Sequence, residues 1–353
     1  MKIKLAILEK DTNYLKRLVT AFNTKYADKF EIYSFTDAKI AISAINESKI
    51  DVFVANDFFD IPFDEIPARC AFAYFVDSVD VQSVNDKRAI SKFQKAELIY
   101  KQILSLYSEN AGAITGLTML EDDCKLIAFT SVSGGTGSSV MAAACSKYFA
   151  SKGKRTLYLN LEKFGSADLF FSAEGQFNMS DIIYALKSKK ANLTLKLESC
   201  VKQDSSGVCF YSQSPMALDM TELSIDEIRR LISEIKLTGS YDYIVVDTDF
   251  DIDNKTLEIF RQMHSVVVVG DGSEISNAKT LRAYNAINVI DSNADSPIIN
   301  RMCLIYNKFS NKTSLSIENL DLKNIGGVPR FEHATTKQVL DQLSTNAMFE
   351  KIL

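Results

Sequence analysis

Between Cys124 and Ala150 a short apolar run, KLIAFTS, leads into SVSGGTGSSV and then into an Ala-rich stretch that begins VMAAACSKYFA. Strand, glycine loop and helix in that order bring a row of backbone N–H groups to the positive end of a helix, which is what phosphate binding requires. Gly134, Gly135 and Gly137 permit positive φ and close backbone approach. Successive N–H groups then point inward as a nest for the β- and γ-phosphates of a nucleotide. Ser139, in the first helical turn, offers the hydroxyl that a P-loop uses on Mg2+. The usual pattern ends in Gly-Lys-Ser/Thr, whereas this chain has Gly137-Ser138-Ser139. With that lysine absent, charge neutralisation falls to backbone dipoles and Mg2+. Taken alone, a G-G-x-G run has the alternative reading of a tight turn that binds nothing.

On either side of this loop the chain alternates apolar runs with helical patterns. KLAIL, FEIYSF, DVFVA and CAFAYFV are separated by 3.6-period stretches such as Tyr14 to Tyr26, and a last helical segment covers Lys95 to Tyr107. These strand candidates with intervening helices within about 110 residues are the rhythm of repeated βα units on a parallel sheet. The small, polar segment SENAGAITGLT breaks the periodicity. We therefore expect a first domain over 1–110, a linker over 111–121 and a second domain over 122–353. TLYLNL, VCFYS, YDYIVVD, HSVVVV and MCLIYN in the second half read as strands buried on both faces. Both domains are thus expected to be α/β, each a doubly wound parallel sheet.

Composition narrows the function. Forty basic against 45 acidic side chains give a formal charge of −5, which offers no long-range attraction to nucleic acid or anionic lipid. Two histidines, His264 and His333, are too few for a multi-histidine metal centre. The six cysteines contain no CxxC pair and read as reduced thiols of a cytoplasmic protein. Charges at Glu9, Lys10 and Asp11 interrupt the first apolar run, which argues against a signal peptide. No stretch reaches the ~18 apolar residues of a membrane span, so direct membrane insertion is not expected.

SVSGGTGSS resembles the deviant Walker A motif KGGxGK[ST] of the MinD/ParA ATPases, with Ser133 at the position of the intermonomer lysine and Ser138 at that of the P-loop lysine. TLYLNLEKFGSADLFF is similar to the LxDLDxxFGDxxL stretch of the TadZ/CpaE-type pilus assembly proteins within that superfamily. The resemblance implies an atypical, flavodoxin-like receiver followed by a P-loop domain of MinD/ParA type. It places ATP and Mg2+ on Ser133, Gly134, Gly135, Thr136, Gly137, Ser138, Ser139 and Val140. Glu162 stands where the family has the Asp that orients the attacking water, and Asn160 replaces the preceding Asp of the motif. The alternative for Glu162 is a solvated loop acid. Asp247, closing YDYIVVD, matches the Walker B position and would hold Mg2+ through water together with Ser139, while Asp249 is a candidate switch residue. Asn307 and Lys308 fall where the family reads adenine, and Pro329 and Arg330 where a loop closes over the base. An Asn after a strand is by itself more often a turn former, so the order of the motifs carries this reading.

The first domain resembles response-regulator receivers with the phosphorylation chemistry removed. Glu9 and Lys10 occupy the positions of the acidic pair, and Lys10 would repel a metal. Asn56 occupies the phosphoacceptor position and cannot form an acyl phosphate. Val76 or Asp77 replaces the hydroxyl residue, while Lys92 keeps the lysine. Phe58, Phe59, Ile61 and Phe63 are candidate docking residues, although such a cluster is more often core.

The expected function is an ATP- and Mg2+-binding protein, at most a slow ATPase, that forms a homodimer bridged by ATP. By resemblance it is a cytoplasmic hub for pilus or secretion assembly proteins, placed at the cell pole or the inner face of the membrane through partners. The competing readings are a nucleotide-free scaffold and, less favoured, a DNA-partitioning or MinD-like positioning ATPase.

Overall fold

In a computed structural model of the chain the described residues are 2–110, 124–188, 192–292, 296–318 and 320–353. They divide into two compact units, Met1–Gly116 with Tyr184–Cys200 and Leu117–Ile183 with Val201–Leu353. The linker expected at 111–121 lies outside the described residues.

The first unit opens with β1 (Ile3–Leu8), α1 (Thr12–Lys25), β2 (Phe30–Phe35), α2 (Ala38–Glu47) and β3 (Val52–Asn56). It continues with β4 (Ala71–Val76), β5 (Ser83–Val84), β6 (Lys87–Ser91) and α3 (Ala96–Asn110). The sheet order is β2-β1-β3-β4-β6-β5, parallel except for the β5–β6 hairpin. Asp11 and Asp37 cap α1 and α2 by accepting hydrogen bonds from first-turn backbone N–H groups, which fixes where each helix starts. Period-two alternation sends Leu5, Ile7, Val54 and Phe75 to one face of the sheet and Ala6, Leu8, Phe53 and Tyr74 to the other.

A helix is expected between the third and fourth strand candidates and a loop stands in its place, while the β5–β6 hairpin is an element the sequence pattern does not predict. Residues 57–70 contain Pro62 and Pro67, which lack the N–H a helix interior needs, and they form a loop with one 3-10 turn, Phe63–Glu65. Between β4 and β6, Asn85 and Asp86 take φ of 48° and 57°, the two-residue turn that closes a tight hairpin.

The second unit's chain runs β7 (Lys125–Thr130), α4 (Ser138–Ser151), β8 (Thr156–Asn160), α5 (Ala167–Phe170), α6 (Met179–Ser188), α7 (Leu193–Cys200), β9 (Lys202–Gln203) and β10 (Cys209–Phe210). Then follow α8 (Ala217–Thr221), α9 (Ile225–Leu237), β11 (Tyr243–Asp247), α10 (Asn254–Gln262), β12 (Ser265–Gly270), α11 (Glu274–Asp291), β13 (Met302–Phe309), β14 (Lys323–Pro329) and α12 (Thr336–Leu343). Its sheet order is β14-β13-β12-β7-β11-β8-β10-β9, parallel except for β9. β7 therefore lies inside the sheet between β12 and β11, and the loop after it opens at the carboxyl ends of the parallel strands, where ligands of such sheets bind. The C-terminal stretch turns inward. Leu340, Leu343, Met348, Phe349 and Ile352 join the core formed by α4 and the sheet.

One helix of this stretch packs elsewhere. α7 belongs to the first unit. There the buried Lys196 donates from Nζ to Ser105 Oγ at 2.9 Å on α3, and the N–H of Asn192 donates to the Ser108 carbonyl at 2.9 Å. Glu198 accepts from Tyr100 OH at 2.6 Å and Lys29 Nζ at 2.9 Å, and Leu195 packs against the receiver core.

Candidate functional site

The glycine loop is held open by its own backbone. Gly135 and Gly137 take φ of 80° and 85°, and Gly137 is the left-handed N-cap of α4. A Cβ at Gly134 would meet nothing within 4 Å, whereas one at Gly137 would lie 2.6 Å from Asn307 Nδ2. Beneath the loop Ser131 Oγ accepts from Thr136 Oγ1 at 2.8 Å and from the Ser133 N–H at 3.2 Å, and lies 2.8 Å from the Val269 carbonyl. Thr136 is buried, Val140 packs against the α4 core, and Ser133, Ser138 and Ser139 are half-buried at the mouth of the loop.

The carboxylates converge on Ser139. Its hydroxyl donates to Glu162 Oε1 at 3.1 Å. Glu162 Oε2 accepts from Asn160 Nδ2 at 3.0 Å, and the same nitrogen lies 3.1 Å from Asp247 Oδ2. Tyr158 OH donates to Asp247 Oδ2 at 2.6 Å. Register explains the meeting, because Asp247 ends β11 directly opposite Asn160 at the end of β8. Asp247 is fully buried, and its Oδ1 has no hydrogen-bond partner. Burial, then the adjacent Glu162 carboxylate, push the Asp247 carboxyl well above the ordinary range, against the hydrogen bond from Tyr158. An orphaned buried carboxylate oxygen beside a serine hydroxyl fits a divalent cation, and the open face over Gly134 fits a phosphate. Asp249 sits one loop away, accepting from the Lys163 N–H at 3.0 Å.

The four residues assigned to the base do not share one place. Asn307 is buried and donates from Nδ2 to the Thr136 carbonyl at 2.7 Å, and Lys308 Nζ donates to the Gly135 carbonyl at 2.6 Å. Both bind the glycine loop. Pro329 and Arg330 instead line a cavity of about 670 Å3 with Tyr306, Phe309 and Gly327, and no residue of the glycine loop lines it. Neighbouring residues of a strand face opposite ways, which separates Tyr306 from Asn307. The bridging amide of Asn160 escaped sequence reading. Its signal was its position two residues before Glu162, on the same side of an extended strand end.

In the first unit the positions of a receiver's phosphorylation site form a closed polar cluster. Glu9 is fully buried, with Lys92 Nζ 3.4 Å and Asn56 Nδ2 3.0 Å from its Oε2, and Lys92 also pairs with Asp77 at 2.6 Å. Lys10 turns away, its ammonium 4.0 Å from the centroid of the exposed Phe58 ring. Ile61 is buried, and Phe59 and Phe63 pack partly buried against the core.

A family model described as the TadZ-like receiver domain matches residues 1–108. The first domain is a TadZ-like receiver. No curated protein matches the chain. Among solved structures, a ParA family ATPase from Chlorobium tepidum TLS is similar at 20% identity, covering 65% of this chain and 98% of its own, with a TM-score of 0.52. The MinC:MinD cell division protein complex of Aquifex aeolicus is similar at 19% identity, with 65% and 94% covered and a TM-score of 0.51. The unit that follows the TadZ-like receiver thus has the MinD/ParA fold, and the chain has the two-part architecture of TadZ/CpaE-type proteins. Among the described residues, no helix is long and apolar enough to cross a membrane.

Proposed function

We propose that this protein binds ATP with Mg2+ on the Ser133–Val140 loop, hydrolyses it slowly or not at all, and uses it to hold a homodimer. The dimer would serve as a localisation and assembly hub for Tad/Flp-type pilus machinery, cytoplasmic and brought to the cell pole or inner membrane face by its partners. The observation that carries this reading is the pairing of an open glycine loop with Ser139 and the orphaned Oδ1 of Asp247. Slow hydrolysis follows from chemistry. Ser133 and Ser138 supply neutral hydroxyls where the resembling family has lysines, and a cation reaching the transferring phosphate is worth orders of magnitude in rate. The closed Glu9–Asn56–Lys92 cluster supports a receiver that serves as a binding module without phosphorylation.

Titration with ATP·Mg2+ while following molar mass by light scattering tests the reading. Saturable binding with a doubling of mass is expected, and hydrolysis as fast as in lysine-bearing relatives would overturn it. A second reading, a scaffold that binds no nucleotide, is favoured by one observation: the Lys308 ammonium is spent on the Gly135 carbonyl. Purified protein that carries no nucleotide and binds none at millimolar ATP would establish that alternative.

A further inference from the structure

Glu162 stands where the resembling family orients its water, yet each of its carboxylate oxygens already accepts a hydrogen bond from a neighbouring side chain. Oε1 takes the Ser139 proton at 3.1 Å, and Oε2 takes an Asn160 N–H at 3.0 Å. The Glu162 backbone N–H in turn donates to Asn160 Oδ1 at 3.1 Å, which closes a ring between the two residues. A carboxylate that aligns a water needs an acceptor oxygen facing that water. Here the two are directed at Ser139 and Asn160.

We propose that Glu162 is a metal-positioning residue: it fixes the Ser139 hydroxyl so that its lone pairs face a divalent cation shared with Asp247. The inference rests on the nucleotide reading above and changes the role of one residue within it. A hydroxyl that gives its only proton to a carboxylate keeps its oxygen lone pairs for a metal. The orphaned Oδ1 of Asp247 supplies a second oxygen from the same cluster. Side-chain length is part of the device. An Asp at position 162 would be shorter by about 1.5 Å, one C–C bond, too short to keep the 3.1 Å contact with Ser139 from the same backbone. Asn160 completes the arrangement. Its single amide nitrogen lies within 3.1 Å of both carboxyl groups, so a neutral donor bridges them where a third carboxylate would add repulsion. Both departures from the family pattern, Asn for Asp and Glu for Asp, then have one explanation.

The experiment uses the full-length protein, a non-hydrolysable ATP analogue, and Mn2+ as the metal probe, with free Mn2+ read by electron paramagnetic resonance. Glu162→Gln and Glu162→Asp should each weaken Mn2+ binding in the presence of the analogue by about 10- to 100-fold, the usual effect of removing a group that orients a metal ligand. Analogue affinity measured in EDTA should stay unchanged. Asn160→Ala keeps the carboxylate but frees it, and should give a smaller loss in the same direction, which guards against a folding defect at position 162. Unchanged Mn2+ affinity in the Glu162 variants, with only turnover reduced, would overturn the inference and return Glu162 to water orientation. A wild-type protein that binds no analogue with or without metal would overturn the nucleotide reading itself, a result distinguishable from the first.

Discussion

Asn307 Nδ2 donates to the Thr136 carbonyl across 171 residues of sequence, at 2.7 Å and out of contact with solvent. This bond ties the end of β13 to the glycine loop after β7, two strands that are not neighbours in the sheet. The loop's shape therefore depends on a residue far away in the chain, and glycine substitutions within it should separate into two kinds.

Gly137→Ala places a Cβ at a left-handed φ and 2.6 Å from Asn307 Nδ2. Backbone strain of ~1–2 kcal/mol and a displaced hydrogen bond worth ~1 kcal/mol should lower Tm by about 4–12 °C. Gly134→Ala meets nothing within 4 Å and has no positive φ. It should leave Tm unchanged while weakening nucleotide binding, because the added methyl stands in the cradle. Differential scanning fluorimetry with a nucleotide titration reads both, and equal Tm values for the two variants would contradict this account of the loop.

Restoring the cation should raise affinity. Ser138→Lys puts an ammonium at the helix start, where the native chain has only hydroxyls, and should tighten ATP binding by about tenfold or more, as a charge-assisted contact to phosphate replaces a neutral one. Isothermal titration with and without 0.5 M salt, a concentration on the order of that needed to screen charges beyond a few ångströms, should show the gain fall as salt rises.

Asp247 holds its proton more tightly in the folded protein than an ordinary carboxyl does, first because it is buried and second because of Glu162. Below the ordinary carboxylate pKa both folded and unfolded chains are protonated, and this group costs nothing. Above it the unfolded chain releases the proton more readily, so stability falls as pH rises toward the raised folded value. Asp247→Asn removes that penalty. We expect a Tm at pH 7 higher than wild type by about 2–4 °C per kcal/mol relieved, a difference that vanishes near pH 3, together with loss of Mg2+-dependent nucleotide binding. A variant less stable than wild type at pH 7 would refute the assignment.

In the receiver, Lys92→Met leaves the buried Glu9 carboxylate without its cation and should cost about 3–5 kcal/mol, read as a lower urea midpoint for this unit. Hydrogen bonding to Asp77 and attraction to Glu9 outweigh burial and raise the Lys92 ammonium above the ordinary lysine value. Its contribution is therefore complete at neutral pH and is lost only as pH rises through the raised value. Adding Glu9→Gln should recover part of the loss, since the two residues are in contact.

Features encoded by short-range pattern are legible in the sequence. The glycine loop between β7 and α4 and the buried strands follow from period and glycine chemistry over a few residues. Pro62 and Pro67 are equally local signals, and they argue against a helix after β3. Other features lay beyond local pattern. The Asn160 bridge between Glu162 and Asp247 requires knowing that β8 pairs with β11. The attachment of Asn307 to Thr136 depends on which face of β13 turns toward the loop.

α7 sets a practical limit on taking the molecule apart. A single cut after residue 110 would remove Lys196, Glu198 and Leu195 from their places on Tyr100, Ser105 and Lys29, leaving a fragment with an uncovered helix face and buried-type polar groups facing water. A faithful receiver fragment would have to carry residues 192–200 along, by fusion or as an added peptide. Three breaks in the backbone, one after the first segment and one on each side of the second, are needed to free what the fold treats as one piece.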